Sequence, residues 1–220
     1  MKHFVSMTIL LFATWAALGQ GLGSAGSEGG LLVWGPPKAE WPDALPKPTV
    51  TTDLVEGLRI GGWPVKLEET KLVEAQEHFG AIVGSRGDAS GALAWLCLRG
   101  SDDGGLWALW LYSGEIDGPA IGGFQWQRLS PDLRLDRRCK FLDSRHGSVE
   151  LPFQLRLGMA EAQVEAEIGP PSGRYRDSAV YSHEHSLTLH GEPYTVSGDI
   201  LITYRSGKVS TIAANHTTSD

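Results

Sequence analysis

The sequence predicts an α+β fold: two tandem units, each a helix followed by an antiparallel meander, together forming one extended sheet. Three observations support this. Short apolar and aromatic runs recur between strong turn signals, as the strands of a meander do. Helical spacing appears in only two stretches, one in each half of the chain. The order of elements in the second half repeats that of the first. A lone helix cannot cover a sheet, so the units are expected to share a core.

Unit one spans residues 51–145. Its helix is expected over about Glu68–Phe79, with Leu72, Ala75 and Phe79 on one face. Thr70 is the expected N-cap and Gly80 the stop. Strands are expected at Ala92–Leu98, Leu106–Tyr112 and Gly122–Leu129. Asp102-Asp103-Gly104-Gly105 should turn the first strand into the second. Unit two spans residues 146–220. Its helix, about Ala160–Ile168, carries a stripe of Ala160, Val164 and Ile168 and stops at Gly169-Pro170-Pro171. Strands follow at Ala179–Glu184, Ile200–Arg205 and Val209–Ala214, the last two linked by Ser206-Gly207.

Residues 1–19 have the pattern of a secretory signal. Lys2 and His3 precede an apolar run from Phe4 to Leu18, and Ala17-Leu18-Gly19 offers small residues for cleavage near Gly19. The protein is therefore expected in the periplasm or secreted. The run is shorter than the roughly 20 apolar residues of a spanning helix, and no second run follows. No transmembrane segment is expected in the mature form. No cysteine follows the run, so no lipid anchor is expected either. Residues 20–50 form a Gly/Pro-rich linker that should bury little. Within it Gly21, Gly23 and Gly26 spell a dinucleotide-binding pattern. It lacks the preceding strand and following helix that such a site needs, and it is rejected.

Export implies an oxidising compartment. Cys97 and Cys139, the only cysteines, are expected to form a disulfide. The formal charge of -7 makes nucleic acid and anionic membrane surfaces poor partners. With 28 Gly and 8 Trp, the composition suggests tight turns joining strands that carry large rings.

A resemblance rests on unit two. The stretch from Leu157-Gly158-Met159 through Gly169-Pro170-Pro171 has a G-M, short helix, G-P-P pattern. Tyr181 follows where an aromatic opens the first strand, and Ile200–Val209 closes with a hairpin holding Gly207-Lys208-Val209. From Leu155 to about His216 this resembles the SmpA/OmlA-type outer-membrane assembly lipoproteins and the beta-lactamase-inhibitor-protein (BLIP-like) fold. The resemblance implies a helix-plus-sheet module that binds protein, in envelope assembly or in enzyme inhibition. The acylated N-terminal cysteine of the lipoproteins is missing, and no inhibitor contact residues carry over.

Chemistry is sparse. No G-x-S-x-G elbow and no H-E-x-x-H occurs. His183 and His185 are two apart and point to one face of a strand; with His190 they are weak metal candidates, against a reading as a polar strand edge and loop. Asp88 and Glu115 are read as loop carboxylates rather than an acid–base pair. Arg86-Gly87-Asp88 is taken as a chance tripeptide. Asn215-His216-Thr217 is a glycosylation acceptor only in a eukaryotic secretory route.

The aromatic set is more informative. Trp95, Trp107, Trp110, Tyr112 and Trp126, with Phe124, crowd three neighbouring strands. Trp107 and Trp110 are three apart and face opposite sides of the sheet. One side should bury against the helix. The other is either an open recognition face or is covered by the linker or the second unit. The expected function is an exported periplasmic module that binds another protein, in envelope assembly or maintenance, with no catalytic residue and no cofactor. The alternatives are a secreted inhibitor of a hydrolase and a small enzyme built on the carboxylates or histidines.

Overall fold

A computed structural model describes residues 31–49, 54–88, 91–114, 117–131, 133–143, 147–189 and 192–219. The signal expected at 1–19, the first part of the linker, Glu115 and His190 lie outside these residues. In chain order the elements are β1 (Leu31–Val33), β2 (Gly57–Ile60), β3 (Trp63–Lys66), α1 (Leu72–Phe79), β4 (Val83–Arg86), β5 (Leu93–Asp102), β6 (Gly105–Gly114), β7 (Gly123–Arg128), β8 (Leu133–Leu135), β9 (Lys140–Phe141), β10 (Val149–Glu150), α2 (Glu161–Ile168), β11 (Gly173–Tyr175), β12 (Ser178–Leu189), β13 (Glu192–Arg205) and β14 (Lys208–Ser219).

The fold is mostly β, with 52% of residues in strands, and is not the expected α+β pair of tandem helix-plus-meander units. The reason is length. Each helix has eight residues, about 12 Å, too short to cover the main sheet. That sheet has nine strands, in the order β11-β12-β13-β14-β7-β6-β5-β4, with β9 paired to β5. Further strand does the covering: a three-stranded sheet, β10-β2-β3, and the parallel pair β1–β8.

Local chemistry sets the helix ends. Lys71, not Thr70, is the N-cap of α1. Its N–H donates to the Glu74 carboxylate at 3.0 Å, while Thr70 Oγ1 accepts from the Lys66 N–H at 2.9 Å. Gly80 stops the helix in the left-handed conformation, φ 59°, ψ 39°. In α2 the Gln163 side chain plays the part of Glu74, accepting from the Ala160 N–H. The β13–β14 turn holds Ser206 and Gly207 at φ 53° and 71°, the sign a two-residue primed hairpin turn requires.

The main sheet is buried on both faces. On one, Leu96, Leu98, Trp107, Leu109, Phe124, Trp126, Ile200 and Ile212 join one core with Leu58, Ile60 and Val65 of the small sheet, Leu72, Ala75 and Phe79 of α1, and Val164 of α2. On the other, Trp95, Cys97, Ala108 and Trp110 pack with Cys139, Val33 and Trp34. Further along, Val180, Leu201 and Ala213 pack with Ala39 and Trp41. Residues 34–49 therefore cross this second face as an extended strap. The linker expected to bury little does bury: Pro36 is buried, and Trp34 and Trp41 are half-buried. The Trp34 carbonyl accepts a hydrogen bond from Trp110 Nε1 at 3.1 Å, and Arg138 sits 4.4 Å over the Trp34 ring.

Four large rings lie across the sheet on the glycine directly opposite. The pairs are Trp95 on Gly84, Trp107 on Gly100, Tyr112 on Gly123 and His183 on Gly198. A Cβ at Gly100 would lie 2.3 Å from Trp107 Cζ2, and one at Gly84 2.6 Å from Trp95 Cε2.

Cys97 and Cys139 form a buried disulfide that closes a span of 42 residues and fastens the β8–β9 connection to β5. Among the described residues no helix is long and apolar enough to cross a membrane. Reduction should cost about 4 kcal/mol of stability in the chain-entropy account, read by denaturant unfolding with and without reductant. Gly100→Ala should cost about 1–3 kcal/mol by overpacking. In a Trp107→Leu background the same Gly100→Ala change should cost less than it does in the native chain, in the same measurement.

Candidate functional site

The strands β12, β13 and β14 run past the rest of the sheet. β14 pairs with β7 only over Thr211–Asn215, whereas β12 and β13 stay paired out to Leu189 and Glu192. The excess forms a three-stranded arm with β12 at its outer edge. β11 covers that edge at Ser178–Val180. Just beyond, the Ser182 N–H donates to Ser172 Oγ at 3.0 Å, and the Ser182 carbonyl accepts from the Thr49 N–H at 3.3 Å. The backbone of Ser182 thus points outward. In an antiparallel strand this direction alternates, so Glu184, Ser186 and Thr188 also turn their N–H and C=O groups to the outer edge. No strand lies against them among the described residues, and all three side chains are exposed.

The arm has a polar centre on the face that also carries the helices. His183, Gly198 and His216 stand in register on three strands. Because Gly198 has no side chain, the His183 ring lies over it; a Cβ there would be 2.3 Å from the ring. His183 is 2% exposed, with its ring centroid 6.0 Å from that of His216 and 6.2 Å from that of His185. Glu68, in the turn after β3, reaches this centre. Its carboxylate is 2.8 Å from His216 Nδ1 and accepts from the Thr218 N–H and hydroxyl, both at 2.7 Å. Glu68 does so from a left-handed backbone, φ 61°, uncommon for a residue with a side chain. Burial alone would push its carboxyl up. The Thr218 hydroxyl and N–H and the His216 ring together outweigh this and hold it below the usual carboxylate range. On the opposite face, burial pushes the Asp199 carboxyl up, against a 2.5 Å hydrogen bond from the Ser182 hydroxyl and the nearby His183.

Between the arm and the turn lies a pocket of about 550 Å³. Leu67, Leu187 and Val196 give it an apolar patch, and the rest of its lining is polar or charged: His185, His216, Thr218, Glu56, Lys66, Glu68 and Glu69. Another, of about 510 Å³, lies at the far end of the sheet beside Arg128, Arg205 and Lys208. Its Arg128 is already held by Asp102 at 2.6 and 3.1 Å.

The residues singled out in the sequence are placed as follows. Trp95, Trp107, Trp110 and Trp126 are 4%, 1%, 0% and 4% exposed, and Tyr112 is half-buried. These rings are core and do not form an open recognition face; the strap and the helix side cover them. Tyr112 donates to the Ala214 carbonyl at 3.2 Å, and burial, with Asp117 nearby, pushes its hydroxyl far up. His183 and His185 stack rather than converge. Among the described residues no group of three or more His, Cys, Asp or Glu is arranged to hold a metal ion. Asp88 is exposed. Glu68 and Thr218 had no signal in the sequence, being 150 residues apart. Leu187 and Val196 lay between the strands expected at Ala179–Glu184 and Ile200–Arg205, where no element was expected.

Compared with known proteins, the chain matches no family model, no curated protein and no solved structure.

Glu68 ties the turn to the arm more strongly when ionised than when protonated. Its folded-state pKa is depressed, so its stabilisation is fully present above about pH 4.5 and is lost as pH falls through the folded-state value. Glu68→Gln should cost about 1–3 kcal/mol at neutral pH. It should also flatten the acid limb of stability against pH, as read by thermal melts from pH 3 to 7.

Proposed function

We propose that the protein is an exported protein-binding module that takes an extended segment of its partner onto the outer edge of β12. The observation that carries this is the run Glu184, Ser186 and Thr188. An unpaired edge of this length is a template for another strand, and most proteins cover or blunt it. Strand addition draws affinity from main-chain hydrogen bonds and specificity from pockets for alternate side chains. Both parts are present here, since the pocket floor includes Leu187 of β12 itself. The disulfide supports an oxidising compartment. The resemblance of residues 155–216 to envelope-assembly lipoproteins and to an enzyme inhibitor favours two kinds of partner, an outer-membrane component or a soluble hydrolase.

The test uses an edge proline. Proline is tolerated where the strand N–H faces solvent, but it removes that donor. A pull-down from envelope extract with mass spectrometry should retain an outer-membrane component if the module serves assembly, or one hydrolase if it inhibits. Ser186→Pro should abolish that retention with melting temperature and circular dichroism unchanged, and Ser186→Ala should keep it. Undiminished retention by Ser186→Pro would sink the edge assignment.

A further inference from the structure

We infer that the segment added to β12 is one in which apolar residues alternate with basic ones. This rests on the edge assignment above and gives the chemistry of its ligand. A strand laid against β12 continues the pleat, so its side chains fall alternately on the two faces of the arm. On the helix side they come beside His185 and Leu187, over the pocket whose apolar patch is Leu67, Leu187 and Val196. Leu187 is half-buried beside the buried Leu67 and Val196, so an apolar side chain laid there removes the remaining Leu187 surface from water, where a polar one would lose its hydration.

On the opposite side the added side chains come beside Glu184, Ser186 and Thr188. Glu184 is exposed, and no cation pairs with it among the described residues. The surrounding charge has the same sign. Glu56 at the pocket and Glu192 across from Leu189 are exposed carboxylates on the helix side of the same arm, and Lys66 there is taken by Glu69 at 3.3 Å. With a formal charge of -7 over the chain, the field steers a cationic segment toward this edge and repels an anionic one. Directly opposed like charges across a strand pair destabilise it, and opposite charges stabilise it. The register that fills the pocket with every second residue therefore brings the intervening ones to Glu184.

The experiment is fluorescence anisotropy of the full chain with three blocked, labelled peptides of equal length. One alternates Val and Lys, one Val and Glu, and one Ser and Lys. Val/Lys should bind tightest, with Val/Glu weaker by about fivefold or more and Ser/Lys weaker because the pocket stays unfilled. Glu184→Lys should narrow or invert the Val/Lys preference, and Ser186→Pro should remove binding of every peptide. If Val/Lys and Val/Glu bind equally and both are lost in Ser186→Pro, the charge inference fails and the edge assignment stands. Equal binding of Ser/Lys and Val/Lys would overturn the role of the pocket. If no peptide binds, or if binding survives Ser186→Pro undiminished, both fail.

Discussion

The structure depends on large rings seated over glycines across the main sheet. Each of the four pairs joins residues in register on neighbouring strands. The ring occupies the volume where a second side chain would stand, so the pair tolerates only one arrangement. A slip of one residue would reverse every face and drive the rings into occupied space. Two pairs serve the helix side and two the strap side, which lets both faces of one sheet pack tightly. The same device seats His183 over Gly198, next to His216. The polar centre of the arm is thus a further use of the rule that builds the core.

The two edges of the sheet are treated differently. At one, β5 is covered by β4 over Leu93–Leu96 and by β9 at Leu98 and Arg99, and the disulfide fastens the segment that carries β9. At the other, β11 and then Thr49 and Ser172 cover β12 only as far as Ser182. Beyond Ser182 no described residue pairs with the outer edge of β12. Glu68, held by His216 and Thr218, props the base of the arm from the helix side. A supported strand with no neighbour on one side among the described residues is what the proposed main-chain recognition needs, because little order has to be gained on binding.

Much of the local structure was legible in the sequence. The turn Asp102–Gly105 sits where its acidic and glycine residues indicated, and so does the Ser206-Gly207 hairpin. The apolar stripe of the first helix was legible too, since Leu72, Ala75 and Phe79 in α1 are buried; of the stripe expected in α2, Val164 is buried while Ala160 caps the helix and Ile168 is half-buried. Three things were not. The small sheet of β2, β3 and β10 is built of runs of four residues or fewer, too short to show a period. The arm was misjudged because His185, Ser186, Thr188 and Glu192 are polar, while β12 and β13 are held there by pairing with each other rather than by burial. The aromatic set was correctly divided between the two faces by its alternation. Period alone could not show that the strap would close the second face, because that depends on Trp34 meeting Trp110 at a separation of 76 residues.

The position of β14 has a consequence for how the molecule is made. It comes last of the described strands along the chain, yet it lies in the interior of the sheet, between β13 and β7. Synthesis from the amino end delivers β4 to β7 early, but their open flank waits until Thr211–Asn215 emerges to close it. The strap precedes these strands in the chain, and its landing sites on Leu201 and Ala213 are completed only then. Assembly is therefore keyed to β14, and a chain that has not yet released it has no strand to join β13 to β7.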